Sequence, residues 1–176
     1  VAAPDLREGS SVSRQLQDLG CVVHSVYMRR TGTNPLGDVY TLWQLWCHMR
    51  RIQPSHVLGY TIKPVIYGSL AAWLANVPHR FALITGLGYA FQGQDNARGS
   101  LRALVQLLYR LALRSTHKVF FQNPDDQALF RSLGLLSPGI PSCVVNGSGV
   151  DVAAFAVAPV PHKPYFLLIA RLLGDK

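Results

Sequence analysis

Short apolar runs alternate with longer stretches whose apolar residues recur at helical spacing. Cys21 to Tyr27, His56 to Tyr60, Arg80 to Thr85, His117 to Phe121 and Ser142 to Val145 are rich in β-branched and aromatic residues. Such runs predict strands buried on both faces. Between them, Val39, Leu42, Trp43, Trp46 and Met49 mark a helix that Asp38 would cap and Pro54 would end. Pro64 opens a second helix at its first turn, and Asn76 with Pro78 closes it. Asn123 caps a third, with Pro124 at the first helical position and Asp125 and Asp126 where the helix dipole favours negative charge. Strand, helix, strand, helix predicts an α/β fold: a Rossmann-like, doubly wound parallel sheet with right-handed crossovers.

The two ends read differently. Val1 to Asp5 resembles the last residues of a strand, and Tyr165 to Arg171 a strand with no helix after it. The stretch APVPHKP, Ala158 to Pro164, holds three prolines in seven residues and reads as a linker. The expected organisation is therefore an incomplete first domain over residues 1–157, a linker over 158–164 and the first strand of a second domain over 165–176.

Composition adds a charge preference. Seventeen Lys and Arg against nine acids give a formal charge of +8, which favours an anionic partner: nucleic acid, phosphate-bearing small molecules or a membrane surface. With 49% hydrophobic residues over 176 positions the chain can bury a sizeable core. Cys21, Cys47 and Cys143 share no metal-ligand spacing, so no metal site or disulfide framework is expected, and a reducing cytoplasm is the default. No stretch has the roughly 18 apolar residues that a spanning helix needs.

Three stretches carry candidate chemistry. GLGYAF, Gly86 to Phe91, follows a strand, and ligands of open parallel sheets gather at the carboxyl ends of strands. Gly86 and Gly88 would admit a close ligand, and Tyr89 and Phe91 would stack on a sugar or line a lipid-facing wall; equally, the stretch reads as a tight turn with two core aromatics. YTIKP, Tyr60 to Pro64, places Lys63 beside a helix start, either as part of an anion site or as a solvated lysine. From Arg98 to Lys118, basic residues including Arg102, Arg110 and Arg114 alternate with leucines, and no acid intervenes between Asp95 and Asp125. That is a basic amphipathic helix, suited to anionic lipid or to core packing with a solvated basic edge. Nucleic acid is disfavoured, because aromatics are not interleaved with the basic residues. NGSGVD, Asn146 to Asp151, is by itself a turn, and the six histidines are scattered.

Taken in order, YTIKPVIYGSLAAWLANVP, ITGLGYAF, FFQNPDDQALF, VVNGSGVDVAAFA and FLLIARLLGDK resemble glycosyltransferase family 4, two-domain enzymes of the GT-B type. More narrowly they resemble bacterial enzymes that add a hexose or N-acetylhexosamine to a polyprenyl-diphosphate-linked sugar, including those acting on diacetylbacillosamine-diphospho-undecaprenol. The resemblance implies a retaining transferase of cell-surface polysaccharide or glycan assembly, peripheral on the inner face of a bacterial membrane. Its donor would be a UDP-linked nucleotide sugar, used as co-substrate without a metal or other cofactor, and its acceptor lipid-linked.

By the same resemblance, Arg171 and Lys176 would hold the donor diphosphate, while Tyr60, Lys63, Gly86, Gly88, Tyr89 and Phe91 would face the acceptor. The basic residues Arg102, Arg110 and Arg114 are the expected membrane contacts. Many family members have a cleft histidine where this chain has Tyr60 and Gly86 to Tyr89, so no catalytic base carries over. The family's acidic pair would lie beyond Lys176, so the chain alone is expected to be inactive. The rival expectation is a non-enzymatic basic module that binds membrane or nucleic acid.

Overall fold

The computed structural model describes residues 1–4, 6, 9–29, 34–86, 99–155, 157–159 and 166. Its strands are β1 (Ala2–Ala3), β2 (His24–Ser25), β3 (His56–Tyr60), β4 (His79–Ile84), β5 (Lys118–Phe121) and β6 (Ser142–Val144). The α-helices are α1 (Ser11–Asp18), α2 (Pro35–Ile52), α3 (Ser69–Leu74), α4 (Gly99–Arg114) and α5 (Pro124–Ser132). A π-helical turn, Pro64–Gly68, runs directly into α3.

Four strands form one parallel sheet in the order β3-β4-β5-β6, and β1 pairs with β2, also in parallel. The expected parallel α/β architecture is present. Its register sets two faces, since paired residues share a side and neighbours along a strand alternate. Gly59, Ala82, Ile84, Val119 and Phe121 occupy one of them and are buried. Val65 and Ile66 of the π turn, Tyr109 and Leu113 of α4, and Phe130 of α5 close over that face as the main core. Phe130 meets Tyr109 and Phe121 edge-on, with ring centroids 5.1 and 5.4 Å away. A smaller cluster joins Val26, Leu45 and Ala71, and Tyr67 packs against both clusters.

The other face departs from expectation. Leu58 and Tyr60 alternate with buried Gly59 and stay 57% and 47% exposed, so β3 is not buried on both sides. The physical reason is position: β3 is the edge of its sheet, and the core residues of the covering helices lie on the Gly59 side.

Local signals explain most boundaries. Asn123 accepts from Asp126 N–H at 2.7 Å and its amide donates to Asp126 Oδ2 at 2.8 Å, a reciprocal cap with Pro124 at the first position. Helix α2 begins earlier than expected: Asn34 is its cap, accepting from Gly37 N–H at 3.3 Å, and Pro35 opens it. Asp38 is therefore inside the first turn, not the cap. The basic helix ends at Arg114; Lys118 belongs to β5, with its ammonium 5.2 Å from the Phe120 ring centre. Helix α1 is not signalled by the apolar pattern, because SVSRQLQD lacks a broad apolar stripe.

Candidate functional site at the carboxyl edge of the sheet

In a parallel sheet, the carboxyl ends of the strands and the amino ends of the crossover helices share one edge. Tyr60 closes β3 there. Thr61 follows in the left-handed region (φ 72°) and its carbonyl accepts from Val65 N–H at 2.9 Å, which turns the chain into the Pro64 helix. A β-branched residue is strained at that φ, and such strain clusters at functional sites. The turn is tight: a Cβ on Gly59 would lie 2.8 Å from Pro64 O and 2.9 Å from Val65 Cα. Gly59 is thus what lets the π turn close onto β3.

Lys63 emerges from this turn and donates to Asp38 Oδ1 at 2.8 Å. Both side chains are about four-fifths covered, 19% and 20% exposed. The Tyr67 hydroxyl, one helical turn after Lys63, also bonds Asp38; burial first, and then this bond and the carboxylate's charge, push its phenol well above the usual range. Lys63, which from sequence reads as a solvated lysine or an anion ligand, is part of a charged trio with Asp38 and Tyr67. Sequence does not single out Asp38 as a site residue, because Asp in a first helical turn already has a sufficient local explanation.

A second, uncharged cluster lies on the same edge. Gln122, just after β5, donates from Nε2 to Ser148 Oγ at 3.1 Å, and Tyr60 Oη is 3.5 Å from the same oxygen. Ser148 sits in the NGSGVD turn after β6, between Gly147 and Gly149, whose φ angles are +65° and +75°. Strand β4 runs between β3 and β5, and its end leads through Thr85 to Gly86 (φ +154°), where a Cβ would meet nothing within 4 Å. Sequence singles out Tyr60 but not Gln122 or Ser148, which are 26 residues apart and individually unremarkable.

The other expected site residues are distributed differently. Gly88, Tyr89, Phe91, Arg171 and Lys176 lie outside the described residues, as do most of the 158–164 linker and the 165–171 strand. On α4, Arg110 donates to the carbonyls of Gly134 (3.2 Å) and Leu133 (2.9 Å), ending α5. Arg102 is half-buried and Arg114 exposed. On the side of α4 that carries Arg114, and opposite Arg102, Leu104, Leu107 and Leu111 are 52%, 49% and 47% exposed, an apolar stripe that the core does not use. Among the described residues, no three His, Cys, Asp or Glu side chains converge as a metal site, and no helix is long and apolar enough to cross a membrane.

With this geometry in hand, comparison with known proteins is decisive about family. Residues 1–146 match the glycosyl transferase 4-like domain. The chain belongs to that family. This is the family its ordered motifs resemble, and both carboxyl-edge clusters except Ser148 fall inside the matched segment. The chain is 28% identical over 178 aligned positions to the N,N'-diacetylbacillosaminyl-diphospho-undecaprenol alpha-1,3-N-acetylgalactosaminyltransferase of Campylobacter jejuni. That alignment covers 93% of this chain and 47% of the relative, so the chain spans about half the relative's length. The crystal structure of Acinetobacter baumannii MurG is similar at a TM-score of 0.48 and 16% identity, covering 87% of this chain and 37% of that one.

Proposed function

We propose that the chain is the acceptor-binding part of a retaining GT-B glycosyltransferase. It moves a hexose or N-acetylhexosamine from a UDP-linked sugar to a polyprenyl-diphosphate-linked sugar during cell-surface polysaccharide or glycan assembly. Family membership supports the reaction class, and the name of the Campylobacter relative supports a lipid-linked acceptor. The observation that carries the reading is Lys63. Its ammonium is oriented at the carboxyl edge by Asp38, beside a strained turn, where a diphosphate would share this cation with the Asp38 carboxylate.

In this reading the acceptor wall comprises Tyr60, Lys63, Gly86, Gly88, Tyr89 and Phe91. Arg171 and Lys176, in the segment that resembles a donor domain, hold the departing diphosphate. Paired cations at two phosphates stabilise the leaving group without a metal. Exposed Leu104, Leu107 and Leu111, with exposed Arg114 beside them, rest on the anionic inner face of the cell membrane. Transfer requires the donor half.

The test uses the longer enzyme with UDP-N-acetylgalactosamine and N,N'-diacetylbacillosaminyl-diphospho-undecaprenol, the relative's acceptor, alongside other nucleotide sugars and polyprenyl-diphosphate sugars. Lys63→Ala and Gly88→Val should raise the acceptor KM or abolish turnover, with donor binding retained. Wild-type acceptor kinetics in both folded variants would refute the acceptor wall. No transfer with any pair would refute the reaction.

A further inference from the structure

Two chemically different clusters share the carboxyl edge, and the uncharged one offers no cation to a diphosphate. Tyr60, Gln122 and Ser148 come from the ends of β3, β5 and the loop after β6, with β4 between the first two. Strands in a sheet are about 4.8 Å apart, so β3 and β5 are roughly 10 Å apart and their side chains reach across to meet at one hydroxyl. The Tyr60–Ser148 separation of 3.5 Å is too long for a good O–H···O bond. Each of these hydroxyls is therefore able to bond a ligand at little loss.

The polar inventory is specific. Gln122 donates to Ser148 through its amide nitrogen, which leaves its carbonyl oxygen as an acceptor. Ser148 accepts that bond and keeps its own proton to donate. Tyr60 contributes a phenol and a ring that is 47% exposed. One amide acceptor, two hydroxyls and an open aromatic face, with no charged group among the three, match the alternating hydroxyl and C–H surface of a pyranose. Phosphate would need a cation, and Lys63 belongs to the separate charged trio. The flanking glycines, at positive φ, hold the Ser148 turn through the backbone, so its side chain is not required to fold the loop.

We propose that Tyr60, Gln122 and Ser148 form a carbohydrate subsite that reads the hydroxyls of an uncharged hexose or N-acetylhexosamine. This deepens the acceptor reading above and rests on it for the sugar's place in the reaction, though the binding itself can be measured separately. It assigns Gln122 and Ser148 as sugar ligands beside Tyr60.

The experiment is ligand-observed NMR of the protein with methyl glycosides of N-acetylglucosamine, N-acetylgalactosamine and glucose, at Kd values on the order of millimolar. Gln122→Ala and Ser148→Ala should each weaken the bound glycoside about tenfold, and Ser148→Thr, which keeps the hydroxyl, should restore it. Thermal midpoints of the variants should stay near wild type, which separates a ligand role from pinning of the loop. In the longer enzyme, the same two alanine variants should raise the acceptor KM about tenfold and leave the donor KM unchanged. Absence of glycoside binding, or wild-type binding by Gln122→Ala, overturns the subsite. If transfer proceeds but these variants keep wild-type acceptor KM, the subsite falls and the transferase reading stands. If glycosides bind here but no lipid-linked sugar is ever an acceptor, the reading falls and the subsite stands.

Discussion

Lys63 Nζ lies 2.8 Å from Asp38 Oδ1, joining the turn after β3 to the first turn of α2 across 25 residues of sequence. Neither side chain is more than one-fifth exposed, so removing either partner leaves a charge largely shielded from water and deprived of this counter-charge. Asp38→Ala should cost about 1–3 kcal/mol, and Lys63→Ala a similar amount. In the double variant the losses should be non-additive by about 0.5–3 kcal/mol. Urea denaturation of the four proteins measures this; additivity within about 0.3 kcal/mol would mean that the contact carries no coupling.

Gly59 predicts a steric limit. A methyl group at this position would run into backbone, 2.8 Å from Pro64 O and 2.9 Å from Val65 Cα, and backbone cannot rotate away as a side chain can. Gly59→Ala should destabilise the protein by about 1–3 kcal/mol or more, comparable to overpacking a core. The control is Gly68→Ala, where a Cβ meets nothing within 4 Å and the backbone is helical, and which should be neutral or stabilising. Equal thermal midpoints for the two variants would contradict the close approach.

What could be read from the chain without its structure follows the range of each interaction. The Asn123-Pro124-Asp125-Asp126 start is legible because every partner lies within four residues. The parallel α/β alternation is legible because burial leaves apolar runs in the strands, and the family because its motifs keep their order. The α2 start is misleading in sequence because Asp38 imitates a cap while its carboxylate serves Lys63. Gln122 and Ser148 are illegible for a different reason: neutral side chains in separate loops acquire meaning only when the sheet brings β3, β5 and β6 together.

Alkaline pH should test the buried phenols. Burial first and Asp126 second hold Tyr109 above the usual tyrosine range, and burial with the Asp38 bond does the same for Tyr67. Unfolded tyrosines ionise near pH 10, so below that pH both states are protonated and this contribution to stability is fully present. Above it the unfolded chain loses protons that the folded one retains, and stability must fall with rising pH. Urea midpoints measured from pH 8 to 11 should decline above about pH 10, less steeply in Tyr67→Phe. A flat profile would mean that these phenols titrate alike in both states.

The arginines of α4 should separate into two kinds. Arg110 is committed to the carbonyls of Leu133 and Gly134, so Arg110→Glu removes a helix cap and places negative charge at the carboxyl end of α5. Its expected effect is a stability loss of about 0.5–2 kcal/mol, by analogy with other capping and dipole effects. Arg114 makes no such bond among the described residues and lies beside the exposed leucines, whereas Arg102 is half-buried on the core side of α4. Near an anionic surface each cation contributes about 1 kcal/mol. Arg114→Glu should therefore weaken sedimentation with phosphatidylglycerol vesicles, most at low salt, while the folded protein keeps its thermal midpoint. Leu107→Ser should weaken the same binding at high salt as well, because apolar insertion is not screened. If both changes leave vesicle binding untouched, the leucine stripe does not meet lipid and the basic edge of α4 is only solvated.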